Sequence, residues 1–435
     1  MFEPPLAAPP PPRPELVLPA WPIWLLFAGF PLLWVLGLGA FASVICAIPM
    51  VALLYGRGRV SVPLGFAFWV LFVLWVGIAV VEIDTGPRLV GYGVRLSNYL
   101  GATVLFLYAY NVKAEQLPTR KALAALAVFF GFVVFGGWLG VLFPHGSLTT
   151  PVSLILPGSI GSNTYVQALV HPNFAEVQQP YGAPKAFSRP SAPFPYTNGW
   201  GCNVALLVPC MVAAISSLRR RTKVMISTAM ALALVPAAAT LNRGMFLAIG
   251  VGVVYAAIRL AMRGRVVPLA GLTVVATLGV AVALASGVLT SLQERLTYSG
   301  SNVSRTTIYT EAFRGAVASP LLGNGAPRPS QTLNISVGTQ GQLWNVMFSY
   351  GFLALFFFLA WFSWVAFISR GWDTGSDLWL HVCLVIAFMT LFYYGYDGPQ
   401  LTVLMLVAAL AVRRVRPAPP NPGEDRAVIP LGLAA

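Results

Sequence analysis

Long apolar runs recur along this chain, and short clusters of lysine or arginine stand between some of them. A hydrocarbon core about 30 Å thick takes roughly 17 to 25 apolar residues per helical crossing. A backbone inside it must satisfy its own hydrogen bonds, which leaves helices or closed barrels. The runs are long enough for helices. With 57% hydrophobic residues, 9% charged and a mean hydropathy of +0.76, the composition departs from the roughly 25% charge of soluble domains. The expectation is an all-α integral membrane protein of about twelve transmembrane helices, at residues 21–36, 38–55, 60–81, 93–112, 122–143, 199–217, 224–241, 244–262, 266–288, 342–368, 378–394 and 399–412. The first two runs are short, and a re-entrant hairpin would replace them without changing the sidedness of the later spans. Residues 21–412 read as one membrane domain. Residues 1–20 and 413–435 read as loose, Pro-rich cytoplasmic tails.

The clusters "GRGR" (56–59), "KAEQLPTRK" (113–121), "RRRTK" (219–223), "RGR" (263–265), "SRGWD" (369–373) and "RRVR" (413–416) all fall on one side of this arrangement. The positive-inside rule makes that side the cytoplasm. The net charge of +14 is then accounted for by membrane lipids, with no nucleic acid partner. Nine basic residues are left on the outer side: Arg88, Arg95, Lys185, Arg189, Arg243, Arg295, Arg305, Arg314 and Arg328.

Arg243 shows why these residues need another explanation. It lies in "PAAATLNRGMFLAIG", about twenty residues from the basic clusters on either side. A single helix between those clusters would be roughly 66 Å long, twice the bilayer core. The chain must turn back, and Asn242 and Gly244 supply the turn chemistry. Arg243 is then at the outer tip of a helical hairpin, where it either snorkels to lipid headgroups or faces a polar cavity and holds an anion.

Two long outer segments, 144–198 and 289–341, exceed the usual length of connections between packed helices. The second contains "SRTTIYTEAFRGAVASPLLGNG". Here Ile308, Ala312 and Ala316 share one helical face, Tyr309, Phe313 and Val317 another, and Ser304 is placed to cap the start. Short amphipathic helices are expected in these periplasmic segments. The four cysteines fall in expected helices without paired spacing. No P-loop, dinucleotide fingerprint, HExxH or acidic metal cluster is present in the sequence, so neither a cofactor nor a metal is expected.

Three stretches carry a family resemblance. "TLNRGMFLAIGVGVVYAAIR" resembles the Ser-Arg-Gly hairpin of the O-antigen ligase and O-antigen polymerase family, with Asn242 in the serine position and Arg243 in the arginine position. "SRTTIYTEAFRGAVASPLLGNG" resembles that family's stretch of an arginine, an aromatic four residues on and a closing Pro-Leu-Leu-Gly-x-Gly, through Arg305, Tyr309 and Pro320. "APFPYTNGWGCNVALLVP" is similar to the family segment entering the helix after the first long loop, with Asn198 and Asn203 nearest its asparagines. The likeness covers mainly residues 190–360. It implies a membrane glycosyltransferase of the bacterial plasma membrane that transfers or polymerises a glycan from a polyprenyl diphosphate carrier to a glycan acceptor on the periplasmic, extracytoplasmic side. One departure is clear. Where ligase members carry a His-Asn pair ahead of the glycine matched by Gly351, this chain has Gln340 and Gly341, and glutamine cannot take a proton near neutral pH. That weighs toward polymerase chemistry or a different base, with ligase-type transfer as the alternative.

Such a reaction releases a diphosphate, and arginine matches phosphate oxygens with a permanent charge and a planar fork. Arg243 and Arg305 are the first candidates for this role, with Arg189, Arg314 and Arg328 behind them and Tyr309 and Asn198 as glycan contacts. Asp397, in "YYGYDGPQ" at a membrane edge, is a candidate general base and equally a turn residue. Glu176, Glu311, His145 and His171 are further outer candidates, and Gln340 is read as positioning the acceptor. A transporter or flippase for an anionic lipid-linked substrate remains a second class. Against it, the spans hold few ionisable groups, His381 being the main exception.

Overall fold

The computed structural model describes residues 16–161, 164–179, 186–285, 301–330, 336–371 and 375–415. Within helices it leaves the side chains of some residues, including 301–305, outside the description. The expected tails therefore fall almost wholly outside the described residues, as do Lys185 and Arg295. Each expected span contains helix, but not to its expected ends: residues 60–63 and 391–394, for example, are not helical. In chain order the helices are α1 (Trp21–Ala28), α2 (Phe30–Leu36), α3 (Ala42–Arg57), α4 (Ala67–Ile78), α5 (Gly86–Asn111), α6 (Thr119–Leu142), the short α7 (Pro151–Ile155), α8 (Gly158–Gly161) and α9 (Thr164–Val170), then α10 (Thr197–Ser217), α11 (Arg220–Ala239), α12 (Arg243–Met262), α13 (Val266–Ala285), α14 (Ser301–Ala318), α15 (Gln342–Ile368), α16 (Gly375–Thr390) and α17 (Gly398–Arg414).

Seven described helical segments are long and apolar enough to cross a membrane: Gly39–Arg57, Leu64–Glu82, α6, α10, α11, α12 and α15. The chain is thus an α-helical membrane protein. A count of twelve is not established by length and composition. The α1 and α2 helices have 8 and 7 residues, α17 has 17, and α5 carries Arg88, Arg95 and Asn98 among its apolar residues. Two small antiparallel β-pairs were not expected: β1 (Ala175–Gln178) with β2 (Phe187–Pro190), and β3 (Arg328–Pro329) with β4 (Ser336–Val337). Strands this short carry too little periodicity to be seen in sequence.

Burial separates core from periphery. The apolar window of α10 is 72% buried, against 22% in α11 and 28% in α12, so α10 is interior and the other two turn most of their surface outward. The α17 helix is central too, with Leu401 through Val412 all buried. Around these two pack α5 and α3 on the α17 side, α6 and α1 on the α10 side, and α12 against α16.

Side-chain bonds between loops gather the basic clusters at one end of the bundle. Arg57 Nη1 donates to the Asn111 carbonyl at 2.7 Å. Arg413 donates to the carbonyls of Val112 and Leu117 at 3.2 and 2.7 Å. Arg414 pairs with Asp377 at 2.6 Å, and Arg259 donates to the Arg370 carbonyl. The inter-helix polar chain Tyr255–His381–Ser369 is built near this end, with bonds of 2.8 and 2.9 Å to the two imidazole nitrogens. His381 is therefore a satisfied bridge between helices.

At the other end, α15 is broken. Gly351 has φ 81° and ψ 179° in the middle of an otherwise helical run, a conformation open essentially to glycine alone. A Cβ there would sit 2.2 Å from the Leu321 carbonyl oxygen. The break frees backbone groups that apolar surroundings cannot satisfy, and the "PLLGNG" segment (320–325) supplies their partners. Phe352 N–H donates to the Pro320 carbonyl at 2.8 Å, and the Phe348 carbonyl accepts from the Asn324 backbone at 2.9 Å and side chain at 3.0 Å. Arg88, at the start of α5, donates to the carbonyls of Asn324, Ala326 and Pro327. This assigns one outer arginine to structure.

Candidate functional site

A cavity of about 620 Å³ opens at the end of the bundle opposite the basic loops. Four helices begin at it. Asn198 and Gly199 of α10, Arg243 and Gly244 of α12, and Gln342 of α15 line it, together with Asp397, which directly precedes α17. A helix N-terminus carries about half a positive charge and unpaired N–H groups. The fold thus turns several positive dipole ends toward one space, and arginines add to them.

The hairpin expected at Arg243 is present. The α11 helix ends at Ala239, α12 starts at Arg243, and Leu241 between them has φ 49°. Asn242 holds this tip against the bundle. Its Oδ1 accepts from the Tyr394 hydroxyl, and its Nδ2 donates to the Thr197 carbonyl at 3.4 Å. Gly201 leaves room for it, since a Cβ there would be 2.3 Å from Asn242 Nδ2. Asn242 therefore works as a cross-brace between α10, α12 and the 391–397 turn.

That turn forms a second wall and carries Asp397. It is locked to α15 and α5 by the buried Gln342, whose Nε2 donates to Tyr99 Oη at 3.0 Å and whose Oε1 accepts from the Tyr396 N–H at 2.8 Å. Further bonds run from Gln342 N–H to the Tyr394 carbonyl at 2.7 Å and from Leu343 N–H to the Leu391 carbonyl at 3.0 Å. Asp397 keeps exposed surface, and it lines this cavity and a second, smaller one. Burial raises its carboxyl above the ordinary carboxylate range, and the Arg95 charge opposes part of that rise. The nearby Tyr196 phenol is raised as well, by burial first and then by Asp397 and Glu176.

The β1–β2 pair forms the third wall and brings in Arg189, which is 5% exposed. Its Nε donates to the Thr240 carbonyl at 2.8 Å at the foot of the hairpin, and its Nη1 meets Glu176 at 3.4 Å. Arg189 thus fastens the first outer segment to the α11–α12 tip, so its charge is partly used at home. A fourth wall comes from the second outer segment, through Ile308, Ser336, Thr339 and Gln340, with Asn345 of α15 beside it.

Of the residues selected from sequence, Arg243, Arg189, Asn198, Gln340 and Asp397 are brought together here. Glu176 joins them. Arg314 and Arg328 do not: both are exposed and absent from the wall, and Arg328 lies over the Phe348 ring at 5.6 Å. Tyr309 is not on the wall either but stacks on Trp344, with ring centroids 4.6 Å apart. It braces α14 against α15. The face Ile308, Ala312 and Ala316 is buried, whereas Phe313 and Val317 are exposed, so α14 has one packed face instead of two. Ser304 lies inside α14, which begins at Ser301, and does not cap it. The Arg305 backbone is in α14, three residues before the wall residue Ile308, and its side chain lies outside the described residues.

The chain matches no family model and no curated protein sequence.

Sequence reasoning gave no role to Arg95, Asn98, Tyr99 and Gln342 on the wall. The first three follow the i, i+3, i+4 spacing of one helical face, which is visible in sequence but says nothing of what the face meets. Among the described residues no group of three or more His, Cys, Asp or Glu side chains is assembled. The fixed positive charges on the cavity wall are arginines, beside amide and tyrosine side chains suited to hydroxyl groups.

Proposed function

We propose that this protein is a membrane glycosyltransferase that uses a glycan carried on a polyprenyl diphosphate, at the outer face of a bacterial plasma membrane, in the manner of the O-antigen polymerases. The observation that carries the reading is the cavity opposite the basic loops, in which Arg243, Arg189, Asn198, Gln340 and Asp397 meet at converging helix N-termini. The leaving group carries roughly two negative charges, which grow on the bridging oxygen as the sugar bond breaks. Arg243, on the first turn of α12, grips the diphosphate alongside the α12 dipole. Arg305 is assigned to the same group by its position in the family-like motif.

In the transfer step the acceptor hydroxyl oxygen attacks the anomeric carbon. The bond from that carbon to the diphosphate breaks, and its electron pair leaves with the polyprenyl diphosphate. The hydroxyl proton passes to the Asp397 carboxylate. Gln340 and the neighbouring amides orient the sugars, and Arg189 holds the wall that carries Glu176. The acid-base function that family ligases place on a histidine falls here to Asp397, because Gln340 at the matching position cannot take a proton.

The test is deletion of the protein followed by inspection of the surface glycan and of lipid-linked glycan. Single repeat units at the surface are the expected result. Full-length chains accumulated on the lipid carrier would show ligation as the activity, and an unchanged glycan would overturn the reading.

A further inference from the structure

Asp397 and Asn98 belong to two cavities. Besides the arginine-lined space they line a second, with an interior of about 40 Å³, which is enclosed by the α1–α2 region, α5, α9, the entrance to α10 and the start of α17. The two differ in chemistry. Arg95, Arg189 and Arg243 line the first, whereas among the described residues no lysine or arginine lines the second. Its aromatic surface comes from Phe30, Trp34 and Phe194, and its polar groups include Asn98, Gln400 and Asp397.

Two polar atoms of this lining call for a partner. Trp34 and Gln400 are 7% and 1% exposed, and among the described residues neither Trp34 Nε1 nor Gln400 Oε1 makes a hydrogen bond. A buried indole N–H ordinarily finds an acceptor, and a buried polar atom left alone carries its full desolvation penalty. One of the two atoms is a donor and the other an acceptor, and a hydroxyl group can serve either. The protein holds the amides in place. Gln400 Nε2 donates to the Gly199 carbonyl at 3.3 Å, and Asn98 Oδ1 accepts from Ser43 Oγ at 3.0 Å, which leaves the Asn98 NH2 group as donor. Size narrows the occupant further. A water-sized group needs on the order of 10 to 15 Å³ of such space, so the interior takes about three of them. That suits the hydroxyl-bearing edge of one sugar ring and is too small for an isoprenoid chain or a diphosphate.

We infer that this second cavity is a sugar subsite for the acceptor. It seats the edge of an uncharged sugar through Trp34 Nε1 and Gln400 Oε1 and delivers a neighbouring hydroxyl to Asp397, while the arginine-lined cavity keeps the anionic donor. That the sugar is the acceptor rests on the transferase reading of the main cavity.

The experiment uses the full-length protein in lipid nanodiscs and, as probe, the oligosaccharide repeat released by mild acid from the cells' own surface glycan. Binding of the oligosaccharide alone is followed by saturation-transfer NMR. Transfer to it from a synthetic polyprenyl diphosphate-linked donor gives kcat and a KM for each substrate. Trp34→Phe keeps an aromatic ring and removes the N–H, and Ala168→Phe fills the cavity from its half-buried α9 wall. Trp34→Phe is expected to raise the acceptor KM about three- to tenfold, the effect of one lost hydrogen bond. Ala168→Phe is expected to raise it at least as much. Donor KM stays at the parent's value in both, and the NMR signal of the oligosaccharide weakens in parallel. Parent-like acceptor KM and binding in both variants, a rise confined to donor KM, or a fall in kcat with neither KM moved would each overturn the inference. If the oligosaccharide binds the parent and is lost from the variants while the parent transfers no glycan, the transferase reading fails and the sugar site stands. Thermal midpoints equal to the parent's are expected, and if Ala168→Phe lowers its midpoint, Trp34→Phe alone decides.

Discussion

Charge in an apolar setting is the signal that survives at the scale of single residues. Arg243 and Asp397 stand out in sequence because each interrupts apolar or aromatic neighbours, and both line the cavity. Arg95 is equally charged and equally placed, but it lies inside a run long enough to cross a membrane, and only the packing of α5 against α17 and α15 supplies a reason for it. Arg314 and Arg328 show the reverse: outer arginines that the fold leaves exposed and away from the wall. On the proposed mechanism, replacing Asp397 with Asn removes the proton acceptor, so transfer is expected to fall on the order of 10² to 10⁴-fold. Because burial raises the Asp397 carboxyl above the ordinary carboxylate range, the proposed transfer is expected to decline on the acid side as that group protonates, and that limb is expected to disappear in Asp397→Asn. Arg243→Ala is expected to lower kcat about 10² to 10³-fold, as for loss of one preorganised donor to a developing oxyanion. Arg243→Lys recovers part of it, because the charge remains but the paired donors do not. Transfer kinetics with a lipid-linked donor check both, and parent-like rates in either alanine or asparagine variant would remove that residue from the mechanism.

Among the elements, the broken α15 shows how a short motif acts through partners far away in sequence. The Pro-Leu-Leu-Gly-x-Gly stretch is legible as a family-like string, but its physical role appears only with Gly351, whose non-helical backbone leaves Phe348 and Phe352 groups for Asn324 and Pro320 to satisfy. Trp75 of α4 adds a bond of 2.8 Å to the Leu321 carbonyl. This packing seats α14 and the fourth cavity wall. Gly351→Ala forces a residue with a Cβ into a conformation costing about 1 to 3 kcal/mol and drives that Cβ into the Leu321 carbonyl. Asn324→Ala removes side-chain bonds to the Phe348 and Gly315 carbonyls, at about 1 to 3 kcal/mol. Both variants are expected to lower the thermal midpoint of the purified protein. The double variant should lose less than the sum, because both changes undo the same docking. Additive losses would mean that the break and the loop are energetically independent. The β1–β2 pair was not legible at this scale at all. Four-residue strands have no usable period, and this pair is held by Arg189 reaching Thr240 across 51 residues of chain.

For the molecule as a whole, charge asymmetry predicts an accessible experiment. All four native cysteines are buried, so single introduced cysteines report position cleanly. Arg59→Cys, in an exposed basic loop, is expected to react with a membrane-impermeant maleimide only after cells are opened, and Thr339→Cys, at the cavity, in intact cells. Labelling of both from one side would overturn the assigned orientation. Helical membrane architecture, the end at which the basic loops gather and the hairpin at Arg243 were all determined by sequence alone, because crossing a bilayer imposes a length and a hydropathy that no tertiary contact can waive. Which outer residues share a wall was decided only by tertiary structure. Asp397, Gln342, Tyr99 and Arg95 are up to 302 positions apart, and side-chain bonds between helices, which leave no periodic trace in a sequence, are what bring them to one cavity.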